Sequence, residues 1–326
     1  MARIFAYIVH KGGVAADSAL ELAAAARKID PAASPTAILI GWGADLDAAC
    51  KTLGASYTET WKIANDALAY PNAELVRKAL LKVLPSNSIV LVAHEHFGID
   101  LAPGLSIKMN SAFVSDVLDI AGVEGADLKV IRQEFGGQVS AHVRCDISSG
   151  AVVTIRPGAF KAVEGPPISG VVVDKSNDVG ALVSGRRYLE TVVAEAGDVD
   201  ITKYNVLVSI GRGIQEKDNV AIAQELADAL GAAVSCSRPV VDAKWMEKSR
   251  QVGSSGKTVK PKVYLACGIS GSFQHLAGLK GSPFLIAINK NPKAPIFQVA
   301  DVGIVDDILE FLPELTNKVR EVRNVA

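Results

Sequence analysis

Short apolar runs separated by amphipathic stretches set the rhythm of the chain. The run from Ile4 to Val9 is one, "TAILI" at 36–40 a second and "SIVLVA" at 88–93 a third. Runs this short, bounded by polar and turn residues, predict strands buried on both faces of a parallel sheet. Between the first two lies "DSALELAAAARK", an Ala-rich helical pattern in which Ser18 and Glu21 have capping-box spacing. A second helix is expected to open at Pro71, with Leu75, Ala79 and Val83 on one face. Segments 128–133, 138–145 and 151–156 read as extended, joined by the turn-rich "FGGQ" and "DISSG".

The pattern breaks at "EGPPISG" and "KSNDVG", between residues 165 and 190, and "EAGDVDITKYN" is polar and non-periodic. A cleaner alternation follows. Strands are expected at 206–210, 232–236, 263–267, 284–288 and 297–300, and helices near 218–230, 272–279 and 305–311. Ile222, Leu226 and Ala229 line one face of the first of these helices. Alternating strands and helices predict a parallel sheet with ligands at the strand carboxyl ends. The expectation is an α/β chain of two domains. Residues 1–190 form an α/β domain with a β-rich tail, 191–203 a linker or hinge, and 204–326 a doubly wound, Rossmann-like domain.

Composition narrows the class. The chain has 326 residues, 49% hydrophobic and 21% charged, ample for two cores. Lys and Arg number 34 against 35 Asp and Glu, so nothing marks a general binder of nucleic acid or membrane surfaces. Cys50, Cys145, Cys236 and Cys267 form no CxxC pair and no metal spacing, which suggests separate thiols in a reducing compartment. The first residues lack the long apolar core of a signal peptide, and no run is long enough to span a membrane. A cytoplasmic location is expected, or the mitochondrial matrix in a eukaryote.

The chemistry-bearing residues gather behind the second set of strands. In "SIGRGIQE", Gly211 and Gly213 follow a strand and precede a helix, most of a dinucleotide fingerprint, but Glu216 replaces its third Gly. An ordinary strand-to-helix turn explains them equally well. Arg212 between them can pair bidentately with a phosphate. In "SCSRP", Ser237 and Arg238 end the next strand, before a sharp stop at Pro239. They offer a hydroxyl and a cation where an NAD site favours an acid. That suits an anionic ligand or an NADP 2′-phosphate; the alternative is a solvated surface Arg. "SRQVGSSGKT" at 249–258 is rich in backbone donors, with Arg250 and Lys257 nearby. It lacks Walker spacing, since Gln251 stands where the first Gly belongs, and a plain Gly/Ser linker remains open.

The stretch "VYLACGISGSFQHLAGL" at 263–279 ends a strand in Gly268, Ser270, Gly271 and Ser272, then sets Gln274 and His275 in a helical turn. It is a poor nucleophile elbow, because Ser272 replaces the second Gly of GxSxG and His275 follows too closely. It is a better anion cradle, with small residues exposing backbone N–H groups. Asn289 ends another strand. Asp307 opens the last helix, where offsetting the helix dipole is reason enough for it.

Taken in order, "SIGRGI", "LGAAVSCSRPVVDAKW", "RQVGSSGKTVKPKVYLACGISGSFQHLAGLK" and "FLIAINKNPKAPIFQVADVGIVDDILEFLPEL" resemble the large (alpha) subunit of electron transfer flavoproteins. "TIRPGAF" at 154–160 and "FGGQVSA" resemble the first domain of that family more weakly. The resemblance implies FAD in the second domain. It places Arg212, Ser237, Arg238, Gln251, Val252, Gly253, Ser254, Ser255, Ser270, Gly271, Ser272, Phe273, Gln274, His275, Asn289, Asp307 and Ile308 around the cofactor. "VGSSG" departs from a common "VGQTG", so Ser254 stands in place of an amide.

On that resemblance, Arg238 favours negative charge on the reduced flavin, Ser255 hydrogen-bonds flavin N5 and His275 reaches the C2 carbonyl. Asn289 and Asp307 suit the adenosine end, and Arg212, Ser237 and the 270–272 backbone suit its polar middle. The resemblance also implies an obligate beta subunit holding AMP or a second FAD, flavin dehydrogenases as donors such as an acyl-CoA dehydrogenase, and a downstream acceptor. The chain is then an electron carrier, not an enzyme, with no nucleophile and no metal. Two rivals stand beside it. One is an NADP-dependent oxidoreductase, resting on "GRG" and Arg238. The other is a non-redox nucleotide-binding regulator.

Overall fold

The computed structural model describes residues 3–54, 56–161, 169–191, 199–281 and 283–325. The chain divides into two compact units, Met1–Glu190 and Thr191–Ala326. Residues 192–198, most of the expected hinge, lie outside the described residues.

The first unit runs β1 (Ile4–Tyr7), a small hairpin β2 (His10–Lys11) and β3 (Val14–Ala15), α1 (Ser18–Ile29), β4 (Thr36–Gly41), α2 (Gly43–Leu53), β5 (Glu59–Ala64), α3 (Ala73–Val83), β6 (Ile89–Ala93) and α4 (His96–Met109). It continues with β7 (Ala112–Glu124), β8 (Asp127–Glu134), β9 (Val139–Asp146), β10 (Ala151–Ile155), β11 (Val171–Asp174) and α5 (Ser176–Val179). Nine strands form one sheet in the order β11-β5-β4-β1-β6-β10-β7-β8-β9. Pairing is parallel as far as β7, and β7, β8 and β9 pair antiparallel. β1, β4, β6 and β10 are buried at every position, as apolar runs covered on both faces must be.

Two local expectations change. Ser18 is inside α1; Asp17 precedes the helix and its side chain makes no cap bond. Glu21 instead accepts the backbone N–H of Gly158 at 2.5 Å, so it fastens the turn after β10 and no capping box forms. Pro71 lies just ahead of α3, and Asn72 is the cap, accepting from the N–H groups of Glu74 and Leu75.

The second unit runs β12 (Val206–Ile210), α6 (Val220–Leu230), β13 (Ala233–Cys236), α7 (Arg238–Asp242), β14 (Val263–Cys267), α8 (Phe273–Leu276), β15 (Phe284–Ile288), β16 (Val302–Ile304) and α9 (Ile308–Val325). Its sheet is all parallel, in the order β13-β12-β14-β15-β16. One face packs Val208, Ile210, Leu265 and Ile288 on Ala223 and Leu226 of α6 and Ile308 and Leu312 of α9. The other packs Leu207, Tyr264, Ala266 and Leu285 under Val252 and Val259, from loops, and Ile296, from a 3-10 turn. The last strand lies at 302–304, not 297–300. Pro295 opens a 3-10 turn through Gln298 there, and Asp301 accepts the N–H of Leu285 at 2.7 Å to set the edge strand's register.

Candidate functional site

In the second unit the strand order, numbered from β12, is 2-1-3-4-5, which puts the topological switch point between β12 and β14. Ligands of such sheets sit outside the carboxyl ends of the strands. Gly211, Ser237, Gly268 and Asn289 stand at those ends, one after each of four neighbouring strands. Their N–H groups donate to Cys267, Ile210, Ile288 and Ile304 in turn. The turns are thereby locked side by side, and every sequence-predicted site residue is carried on or beside them.

The two glycines of "GRG" serve the protein itself. A methyl on Gly211 would lie 2.2 Å from the Gly268 carbonyl oxygen, and one on Gly213 would lie 2.6 Å from Gly268 Cα. Their small size lets two turns touch, which removes the main support for a nicotinamide fingerprint. Arg212 projects to solvent from this contact. Arg238 does not end a strand: β13 stops at Cys236, Ser237 precedes the helix and Arg238 opens α7. Pro239, rather than stopping the chain, sits in the first turn of α7, where its fixed φ favours the helix. The Arg238 side chain is 69% exposed, with Nε 3.4 Å from Asp242.

The 251–257 loop is built, not slack. Val252 donates to the Cys236 carbonyl at 2.9 Å, Lys257 to the Gln251 carbonyl at 2.7 Å and Ser254 to the Gln274 carbonyl at 2.7 Å. Gly253 has φ of +141° and Gly278 packs on it so closely that a methyl on Gly278 would lie 2.3 Å from the Gly253 nitrogen. Lys257 turns to Asp200, 3.3 Å away, so the "GSSGKT" fragment is no phosphate loop. Gln251 is buried and donates from Nε2 to Ser255 Oγ at 2.8 Å. Ser254 and Ser255 are exposed, and so are Ser270, Ser272, Phe273 and Gln274 on the facing turn; Gly271 is buried against Ile296.

His275 is turned inward. It is 4% exposed, with Nδ1 3.1 Å from the Val252 carbonyl and Nε2 2.8 Å from the Tyr264 hydroxyl. Both ring nitrogens are engaged inside the protein, in place of the expected reach toward a ring carbonyl. Burial lowers its pKa to about 4, against a smaller upward push from the Val252 hydrogen bond, so the imidazole is neutral. Asn289 donates to the Ile269 carbonyl at 2.9 Å and accepts from the Asn291 N–H, bracing the two turns. Asp307 pairs with Lys290 at 2.5 Å and accepts the N–H of Leu309; the Lys290 contact holds its carboxyl below the usual range. Ile308 is buried beneath it in the α6/α9 core.

Tyr264 and Ser209 are not among the residues the sequence points to, yet both are buried beside the candidate site, and Arg250, expected as a cation near the loop, is buried as well. Arg250 donates to the Val234 carbonyl at 2.9 Å. A polar residue inside an otherwise aliphatic strand, Ser209 in "VLVSI" and Tyr264 in "VYLAC", was the available signal. Among the described residues no group of three or more His, Cys, Asp or Glu side chains is placed to hold a metal. No helix among them is long and apolar enough to cross a membrane. The four cysteines are buried and free.

Two exposed guanidinium groups, four exposed serine hydroxyls and the turn amides lie at a parallel sheet's carboxyl edge, a donor-rich surface suited to an extended anionic cofactor with many acceptor atoms. The donor set fits a dinucleotide such as FAD. Residues 200–280 match the family model described as electron transfer flavoprotein FAD-binding domain, and residues 4–179 match the electron transfer flavoprotein domain. Electron transfer flavoprotein subunit alpha from Thermoanaerobacterium thermosaccharolyticum is 32% identical over 98% of both chains. The protein of that name from Methylophilus methylotrophus is 34% identical over 97% of this chain and 98% of its own. The LctC subunit of a lactate dehydrogenase (NAD(+),ferredoxin) from Acetobacterium woodii is 34% identical over 78% of this chain and 60% of its own. The chain belongs to the electron transfer flavoprotein family, as an alpha subunit, with FAD as the cofactor of its second unit.

Proposed function

We propose that this chain holds FAD at the carboxyl edge of the second unit's sheet and passes electrons between a flavin dehydrogenase and a downstream acceptor, in a heterodimer with a beta subunit. The cofactor supplies the redox chemistry. The chain's own residues bind and bias it. Arg212, Ser237 and the 270–272 turn suit the diphosphate; Asn289 and Asp307 close the adenosine end. Arg238 and Ser255 suit the ring, the first by favouring negative charge and the second by a hydrogen bond. Asp307 is tied to Lys290, and His275 is neutral and buried. The match to the electron transfer flavoprotein family supports a carrier of electrons. The first unit, with its large sheet, is assigned to the beta-subunit interface, and the beta subunit to AMP or a second FAD.

The observation that carries this reading is the convergence of Arg212, Arg238, Ser254, Ser255, Ser270 and Ser272, all exposed, around one sheet edge. Co-expression with the cognate beta subunit, followed by counting FAD and AMP per heterodimer, tests it. The expected product is yellow, with stoichiometric FAD. A colourless complex after FAD addition overturns it. Hydride transfer from reduced nicotinamide by the isolated chain would favour the oxidoreductase rival.

A further inference from the structure

A buried polar chain runs beneath the site. Tyr264, 0% exposed, places its hydroxyl 2.7 Å from Ser209 Oγ and 2.8 Å from His275 Nε2, and His275 Nδ1 lies 3.1 Å from the Val252 carbonyl. The direction of its hydrogen bonds follows by elimination. A carbonyl only accepts, so Nδ1 carries the proton. The imidazole is neutral, so Nε2 is a bare lone pair and the Tyr264 O–H donates to it. That spends the one proton of Tyr264, and the Ser209 hydroxyl donates to the Tyr264 oxygen. Donation thus runs from Ser209 in β12, through Tyr264 in β14 and His275 in α8, to the backbone of the 251–256 loop.

The end of this chain is where the cofactor loop turns. Val252 is held at both ends of its residue, its N–H by Cys236 and its carbonyl by His275. Beyond it Gly253 takes φ +141° and Ser254 and Ser255 project to the site. A methyl on Gly253 would lie 2.9 Å from the Gln274 carbonyl, so the loop has little room to settle elsewhere while His275 stays in place.

We propose that Tyr264 and Ser209 are positioning residues of the flavin site: they hold His275 as its Nδ1–H tautomer and, through the Val252 carbonyl, preset the 251–256 loop for the cofactor. This rests on the FAD reading above. A loop that is preset binds at its intrinsic affinity, whereas a loop only partly in the competent form loses affinity by that fraction.

The test uses the full complex with the beta subunit. Tyr264→Phe keeps the ring and removes the hydroxyl, leaving His275 Nε2 without its donor and the Ser209 hydroxyl without its acceptor. In nitrogen-15 spectra, wild-type His275 is expected to show a protonated Nδ1 and a bare Nε2. The variant is expected to lose that pattern and to raise the FAD dissociation constant about tenfold. Ser209→Ala, which spares the Tyr264–His275 bond, is expected to move affinity in the same direction by less. A proton on Nε2 in the wild type overturns the inference. So does a Tyr264→Phe complex that melts earlier but binds FAD unchanged, since that is a merely structural role. Should Tyr264→Phe fail to fold, the wild-type tautomer and the FAD affinity of Ser209→Ala decide. A wild-type complex that takes up no FAD overturns the flavin reading instead, while the nitrogen-15 pattern still reports on the chain of bonds.

Discussion

Gly213 and Gly268 meet backbone to backbone at the switch point of the second sheet: a methyl on Gly213 would stand 2.6 Å from Gly268 Cα. Gly268 is itself at φ +66°, a conformation that disfavours a side chain there too. The opposing atoms are main chain, so neither turn can yield by rotating a side chain. Gly213→Ala is expected to cost about 1–3 kcal/mol, the range of overpacked interiors, and to weaken FAD binding because Arg212 rides on the same turn. Urea unfolding of the FAD-free and FAD-loaded complex measures both. A loss under about 0.5 kcal/mol, the range of ordinary surface substitutions, would show that the turns slide apart freely.

Arg238 offers the opposite separation of effects. Its side chain is 69% exposed and its pairing with Asp242 is a surface contact, worth little to stability. If it faces the flavin ring, its charge acts on the reduced cofactor alone. Arg238→Ala is expected to leave the melting temperature of the FAD-free complex unchanged and to lower the flavin's one-electron potential by on the order of 60 mV, a tenfold change in the equilibrium. Spectroelectrochemical titration reads this directly. An unmoved potential would show that the guanidinium points away from the ring.

The buried imidazole makes a pH prediction. An unfolded histidine titrates near 6.5, while His275 in the fold titrates near 4 because burial disfavours its cation. Between these values the unfolded chain binds the extra proton, so stability falls as pH drops from about 6.5 to about 4 and is level above. The full span is worth about 3 kcal/mol. His275→Gln should remove this component, leaving a shallower dependence from the carboxylates. Chemical denaturation of both proteins at pH 5 and pH 7.5 compares the slopes; equal slopes would mean that His275 is not buried neutral.

What was legible in the sequence follows from how locally each feature is encoded. β1, β6, β14 and β15 are apolar runs, and β4, β12 and β13 are nearly so, broken by Thr36, Ser209 and Ser235, and such runs declare themselves. α2, β5, α4 and β7 carry no such local signal. α4 contains Pro103 and two glycines, and Gly98 is there because a methyl would fall 2.0 Å from the Ala93 carbonyl, a contact with the preceding strand that no local pattern reveals. β7 is broken by register shifts at Val117/Asp119 and Ile120/Gly122, so its alternation does not hold. The exposed candidate residues stand out as a group because their order resembles a known family. The inward turn of His275 does not, because its partners Val252 and Tyr264 are 23 and 11 positions away.

Arg156, in the "TIRPGAF" stretch, has a role in the first unit that pairs it with an unusual backbone. Asp116 in β7 has φ of +59°, which a non-glycine residue adopts only when its surroundings enforce it. Arg156 grips both of its carboxylate oxygens, Nε to Oδ1 at 2.8 Å and Nη2 to Oδ2 at 2.6 Å, and reaches Gln133 with Nη1 at 2.7 Å. Thr154 accepts the Asp116 N–H at 2.9 Å, fixing the backbone from the other side. Burial would raise the Asp116 pKa, but the Arg156 hydrogen bonds and the charges of His94, Arg156 and Arg132 outweigh it and hold the carboxyl below its ordinary value. Removing the guanidinium therefore leaves a half-buried carboxylate on a strained backbone. Arg156→Met is expected to destabilise the first unit by about 2 kcal/mol, below the 3–5 of a fully buried pair. Adding Asp116→Gly, which removes the carboxylate and tolerates positive φ, should recover part of that loss. Hydrogen exchange in β7 and β10, read beside the flavin potential, localises the effect: exchange should quicken while the potential stays put. A double variant no more stable than Arg156→Met alone would show that the two side chains are not coupled.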